Sequence, residues 1–146
     1  MNHSFNFFTP TQLIFGSGRL EELKEVAPKY GSKCLLVCRP LEGSLKLTYQ
    51  RVENLLNSVN VEVIFFDEII PNPTIEGIEK GVIMAVKNQV DFVLGVGGGS
   101  VMDSAKLIAL LHNPEGVINW GKALISYDHP FNYVASKQHT LPLLLF

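Results

Sequence analysis

Long apolar runs are missing from this chain. A membrane-spanning helix needs about 20 consecutive apolar residues, so no membrane partner is expected. No basic segment followed by an apolar one opens the sequence, so no targeting signal is read, and the expected location is cytoplasmic. Charge of one sign is lacking as well. Twelve Lys and Arg stand against 14 Asp and Glu, a net charge of −2, without a basic cluster. That balance argues against nucleic acid as a partner. Charged residues make up only 18% beside 47% hydrophobic ones, which excludes a disordered chain and suits one domain with a real core. The only two cysteines, Cys34 and Cys38, are too close to staple distant segments and do not have C-x-x-C spacing. They read as two buried thiols on one face of a strand, in a reducing compartment. The four histidines, His3, His112, His129 and His139, include no H-x-x-x-H pair. No metal site is assigned, and no acid–base or nucleophilic constellation stands out.

What is present is an alternation of short apolar runs and amphipathic segments. Residues 5–8 and 13–15 flank Thr9-Pro10-Thr11 and read as a β-hairpin closed by Gly16-Ser17-Gly18. Leu20, Leu23, Ala27 and Tyr30 form a helical stripe that Gly31 stops. Residues 34–38 have the length of a strand, and Leu45, Val52, Leu55, Leu56 and Val59 mark the next helix. Residues 61–66 are apolar enough for a strand covered on both faces. Pro71-Asn72-Pro73 breaks the chain, and Thr74 is a good N-cap for a helix buried through Ile75, Ile78, Val82, Ala85 and Val86. A strand over 92–96 precedes a glycine run, then a helix with Val101, Met102, Ala105, Ile108 and Ala109 on one face, ended by Asn113-Pro114. Residues 116–137 have no clear period, and 141–146 begin a further strand. The expected fold class is α/β: a Rossmann-like parallel sheet with helices on both faces, preceded by an N-terminal β-hairpin. Such sheets bind ligands at the carboxyl ends of their strands, here the loops 39–44, 67–74 and 97–100.

The glycine loop carries the most chemistry. Gly97-Gly98-Gly99-Ser100 follows a strand and opens a helix, so backbone N–H groups can approach a pyrophosphate and the helix dipole favours an anion there. The spacing is neither G-x-G-x-x-G nor a P-loop, because Gly-Lys-Ser/Thr is absent. Ser100 with Asp103 also reads as an N-cap pair close to a capping box. Taken alone, the loop fits a tight turn as well as a phosphate site.

The longer string Gly97-Gly98-Gly99-Ser100-x-x-Asp103-x-Ala105-Lys106 resembles a motif of the iron-containing (group III) alcohol dehydrogenases. Asp67 followed by Pro71-Asn72-Pro73-Thr74 resembles that family's second signature. Phe15-Gly16-x-Gly18 and Leu141-Pro142-Leu143 match in order and context, and the butanol dehydrogenase-like branch is the most similar. The resemblance implies that residues 1–146 form the N-terminal NAD(P)-binding domain of an alcohol/aldehyde oxidoreductase that transfers hydride. Gly97, Gly98, Gly99 and Ser100 would hold the cofactor pyrophosphate, Asp103 would support the loop, and Asn72 would contact the cofactor from the 67–74 loop. Asn72 also reads simply as a turn residue between prolines.

Arg39 departs from the family pattern, since many members carry an aspartate there. An acid would accept ribose hydroxyls, whereas an arginine would pair with a 2′-phosphate. Gly43-Ser44 just downstream resembles a phosphate-friendly loop, so NADP is expected over NAD, with a solvated surface arginine as the alternative. The family's Fe or Zn site lies in a helical second domain that is absent from these residues. The resemblance therefore implies a truncated chain, inactive alone, whose small alcohol or aldehyde substrate belongs to a full-length relative. An exposed apolar strand over 141–146 and the missing domain's contact face imply a homo-oligomer, in the family often a dimer. Two further readings stay open: a non-catalytic nucleotide-binding or oligomerisation module, and the related glycerol/dehydroquinate-type branch.

Overall fold

A computed structural model describes residues 11–121 and 140–146. Four parallel strands form one sheet: β1 (Lys33–Val37), β2 (Glu62–Phe66), β3 (Phe92–Gly95) and β4 (Leu143–Leu145). Their order is β2-β1-β3-β4. The helices are α1 (Leu23–Val26), α2 (Lys46–Asn57), α3 (Ile75–Asn88) and α4 (Gly99–Leu111). Among the described residues, no helix is long and apolar enough to cross a membrane.

Period-two alternation divides the core between the two faces of the sheet. Cys34, Leu36 and Cys38 of β1 and its end join Phe92, Leu94 and Val96 against Tyr49, Val52 and Leu56 of α2. Leu35, Val37 and Val93 face the other way, onto Ile78, Val82 and Ala85 of α3 and Val101, Ala105 and Ile108 of α4. The central strands β1 and β3 are buried almost throughout, as expected of a parallel sheet covered on both faces. The thiols of Cys34 and Cys38 are free, buried and on one face. Helix α3 begins as its sequence predicts, with Thr74 Oγ1 accepting the Gly77 N–H at 3.1 Å.

Three expectations change. Residues 13–15, read as one arm of a hairpin, form no strand, and Leu13 and Phe15 are 84% and 86% exposed. The other arm, 5–8, lies outside the described residues. The stripe Leu20–Tyr30 is not one continuous helix. It runs as a 3-10 turn (Arg19–Glu22), α1 and a second 3-10 turn (Ala27–Lys29), because Pro28 lacks the N–H that would extend α1. Strand β2 is an edge strand with only Phe66 fully buried, because the chain crosses from it over β1 to β3.

The amino end of the sheet is closed by side chains. Asp91 Oδ2 accepts the N–H groups of Ser32 at 2.7 Å and Lys33 at 2.9 Å. Gly31, at φ 146°, lies so close that an added Cβ would come within 2.1 Å of the Asp91 Cβ.

Candidate functional site

The chain leaves β1 for α2 on one face and leaves β3 for α4 on the other, so the sheet has its topological switch between these two adjacent strands. Ligands of open parallel sheets bind in the crevice outside such a switch. Register puts the relevant loops level. Val37 pairs with Phe66 on one side and with Gly95 on the other. Arg39 and Gly97 therefore each stand two residues beyond a matched pair, with Asp67 beside them.

In the glycine loop each glycine has its own physical reason. Gly95 allows α4 to pack close, since a Cβ there would lie 2.9 Å from the Ala105 Cβ and 3.0 Å from Leu145 Cδ2. Gly97 has φ 150°, and a Cβ would lie 2.9 Å from Val101 Cγ2. Its N–H donates to Phe146 O at 2.9 Å. Gly98 and Gly99 differ: nothing lies within 4 Å of where a Cβ would stand. Gly98 is the N-cap of α4, with no side-chain cap hydrogen bond. Among the described residues, the N–H groups of Gly98, Gly99 and Ser100 meet no acceptor. Unpartnered N–H groups at a helix start make an anion site when something negative is brought to them. Their surroundings therefore fit a pyrophosphate: open space above two glycines and three free donors.

Ser100 is not the N-cap that its spacing to Asp103 suggests. It sits inside the first turn of α4, because Gly98 supplies the cap. Its Oγ instead accepts the N–H of Asn72 at 3.3 Å, across 28 residues of sequence. With one acceptor function used this way, the hydroxyl proton is left to donate elsewhere. Asn72 holds φ 60°, a left-handed conformation that Asn tolerates better than most residues. The structure thus joins Asn72 and Ser100, two residues nominated separately from sequence. Asp103 does not meet the loop; it is exposed and pairs with Lys106 at 3.2 Å. The support comes from a residue the sequence reading passed over: Ser104, buried, donates through its hydroxyl to Ser100 O at 2.8 Å. Only its place on the apolar stripe beside Ala105 hinted at it.

On the β1 side, Arg39, Gly43 and Ser44 are all exposed. Gly43 has φ 71° and opens a 3-10 turn, Gly43–Leu45, that leads into α2. Neither that turn nor α2 has a side-chain cap, in contrast to α3. Among the described residues Arg39 takes part in no ion pair. Below it, burial pushes the Cys38 thiol up to about 12, with the charge of Asp67 adding to the effect. The Cys34 thiol is also pushed up to about 12, by burial. Neither is a ready nucleophile. Burial likewise raises the Tyr49 phenol above its ordinary value, partly opposed by the Arg39 main chain.

Among the described residues, no three His, Cys, Asp or Glu side chains gather as a metal site. His3, His129 and His139 lie outside the described residues.

The sequence matches the iron-containing alcohol dehydrogenase family over residues 10–143. It is 39% identical over 108 residues to a probable NADH-dependent butanol dehydrogenase of Bacillus subtilis, a stretch covering 73% of this chain and 27% of that one. It is 35% identical over 119 residues to an NADPH-dependent aldehyde reductase of Escherichia coli, covering 81% of this chain and 30% of that one. The fold superposes on the NADH-dependent butanol dehydrogenase A of Thermotoga maritima with a TM-score of 0.70 and 31% identity, covering 97% of this chain and 34% of the other. The chain thus spans about a third or less of the length of these relatives. The β-α order, the placement of the glycine loop and a match over nearly the whole sequence agree: the chain belongs to the iron-containing alcohol dehydrogenase family.

Proposed function

We propose that this chain binds a nicotinamide dinucleotide across the carboxyl ends of β1 and β3, as the cofactor half of an alcohol/aldehyde oxidoreductase. The observation that carries the reading is the uncapped start of α4. The N–H groups of Gly98, Gly99 and Ser100 have no acceptor among the described residues, and Gly98 and Gly99 have open space beside them. Asn72 and Ser100, already bonded to each other, form the wall of that opening. The bound dinucleotide would supply hydride exchange; this chain's residues would hold and orient it. Arg39, outside every ion pair among the described residues, with Gly43 and Ser44 beside it, favours NADP(H) over NAD(H) through its charge. The relatives named above include both NADH- and NADPH-dependent proteins. Binding is expected to be separable from turnover in these 146 residues, because polarising an alcohol oxygen needs a Lewis acid, whereas the proposed site is built of main-chain N–H groups and polar side chains. The same reading includes a homo-oligomer, supported by the exposed Leu13 and Phe15, and a cytoplasmic setting that suits two free thiols.

Titrating the chain with NADPH and NADH tests both parts. NADPH should bind more tightly, and Arg39→Ala should weaken NADPH about tenfold while changing NADH little. Tighter NADH would remove the cofactor preference. No binding of either would remove the function.

A further inference from the structure

Beyond β3 the chain bonds to its two neighbours in turn. The Val96 N–H donates to Val37 O of β1 at 3.0 Å, and the Gly97 N–H donates to Phe146 O at 2.9 Å. Phe146 directly follows β4, and its own N–H donates to Gly95 O at 2.8 Å. One residue thus grips the chain on both sides of Val96 through main-chain groups. Phe146 is nonetheless 52% exposed and belongs to neither core cluster. The grip falls where the chain is freest. Gly97 has no side chain and lies at φ 150°. The next three N–H groups, of Gly98, Gly99 and Ser100, meet no acceptor among the described residues. Fixing a glycine costs more backbone freedom than fixing any other residue. A loop already fixed before the ligand arrives does not charge that cost to binding.

We propose that Phe146 is a positioning residue for the dinucleotide: its N–H and C=O hold Gly95 and Gly97, and so fix the N–H groups of Gly98, Gly99 and Ser100 in place for the pyrophosphate. The inference rests on the dinucleotide reading above. Both bonds exist without ligand, so Phe146 acts by ordering the loop beforehand. Removing them should weaken binding more than it lowers stability, because the residue lies at an exposed strand end. A residue that merely closed β4 onto β3 would show the reverse.

A chain shortened by Phe146 alone loses both bonds, whereas Phe146→Ala keeps them and removes only the ring. The shortened chain should bind NADPH about tenfold more weakly, with a thermal midpoint lowered by no more than about 4 °C. Phe146→Ala should bind within about twofold of the unaltered chain. In the unaltered chain without ligand, the Gly97 amide should exchange with solvent about tenfold or more slowly than those of Gly98 and Gly99, and the shortened chain should lose that difference. An unchanged or tighter Kd in the shortened chain overturns the proposal. An equal loss in Phe146→Ala also overturns it, since the effect would then belong to the ring. So does a Gly97 amide that exchanges as fast as its neighbours in the unaltered chain, a measurement that needs no variant to fold. If the unaltered chain binds NADPH, each of these results removes only this inference. If it binds no dinucleotide, the functional reading falls with it.

Discussion

The two ends of this parallel sheet treat their main-chain polar groups in opposite ways. At the amino end, Asp91 accepts the N–H groups of Ser32 and Lys33 where β1 begins, Gly31 fits against it, and Lys33 pairs with Glu62 at 3.0 Å. At the carboxyl end, α2 and α4 start without side-chain caps, and Arg39 pairs with no carboxylate among the described residues. Both ends are glycine-bearing turns around the same strands, so propensity does not explain the contrast. Groups satisfied within the chain contribute to stability; groups left open contribute nothing until a ligand arrives. Substitutions should therefore separate stability from binding according to the end they touch.

The largest effect is expected at the closed end. Gly31→Ala forces an L residue to φ 146° and drives its Cβ into Asp91, displacing the carboxylate that holds Ser32 and Lys33. Strain and overpacking together should cost about 3 to 5 kcal/mol in denaturant unfolding. The dinucleotide affinity of the molecules that remain folded should be unchanged. A loss below about 1 kcal/mol would mean that the Asp91 clasp is not a source of stability.

Next in size, taken over one pH unit, is an alkaline limb set by the two thiols, one near each end of the β1 run. Both are neutral in folded and unfolded chains below their ordinary value of 9.0. Above it the unfolded thiols ionise, while the folded ones stay protonated up to about 12. The unfolded chain then binds fewer protons, so stability falls as pH rises through this window. Each thiol should contribute about 1.4 kcal/mol of loss per pH unit between the two values. A Cys34→Ala, Cys38→Ala double variant should show a flatter limb in unfolding curves taken across that range. An unchanged limb would show that some other group sets it.

Legibility in the sequence followed the range of the interactions. Thr74 could be read as a cap because the group it serves, the Gly77 N–H, is three residues away. The faces of β1 and α4 could be read because periodicity is local. Ser100 was misassigned because Ser-x-x-Asp looks the same whether the serine is the cap or lies one turn further in, and the backbone of Gly98 decides between them. Asn72 and Ser100 were each visible, but not their bond across 28 residues. The roles of Asp91 and Ser104 are not legible in the sequence, because they depend on what packs against them. Pro28, by contrast, is a local signal for the broken first helix, set within an apolar stripe that by itself reads as continuous.

The smallest change in stability, and the sharpest test of the open end, should come from within the glycine loop. Gly97→Ala meets both a left-handed φ of 150° and Val101 at 2.9 Å, and should destabilise. Gly99→Ala meets neither. It lies in the first turn of α4 with nothing within 4 Å of the new methyl, and alanine is the better helix former. Its unfolding free energy should be unchanged or rise by up to about 1 kcal/mol. Yet that methyl would stand in the space through which a pyrophosphate must approach the N–H groups, so dinucleotide affinity should fall about tenfold or more by calorimetry. A protein that gains stability and loses its ligand would show that this glycine is kept for approach rather than for folding. Unchanged affinity in Gly99→Ala would mean that the open space beside it is not where the ligand lies, and the contrast between the two ends would then be one of stability alone.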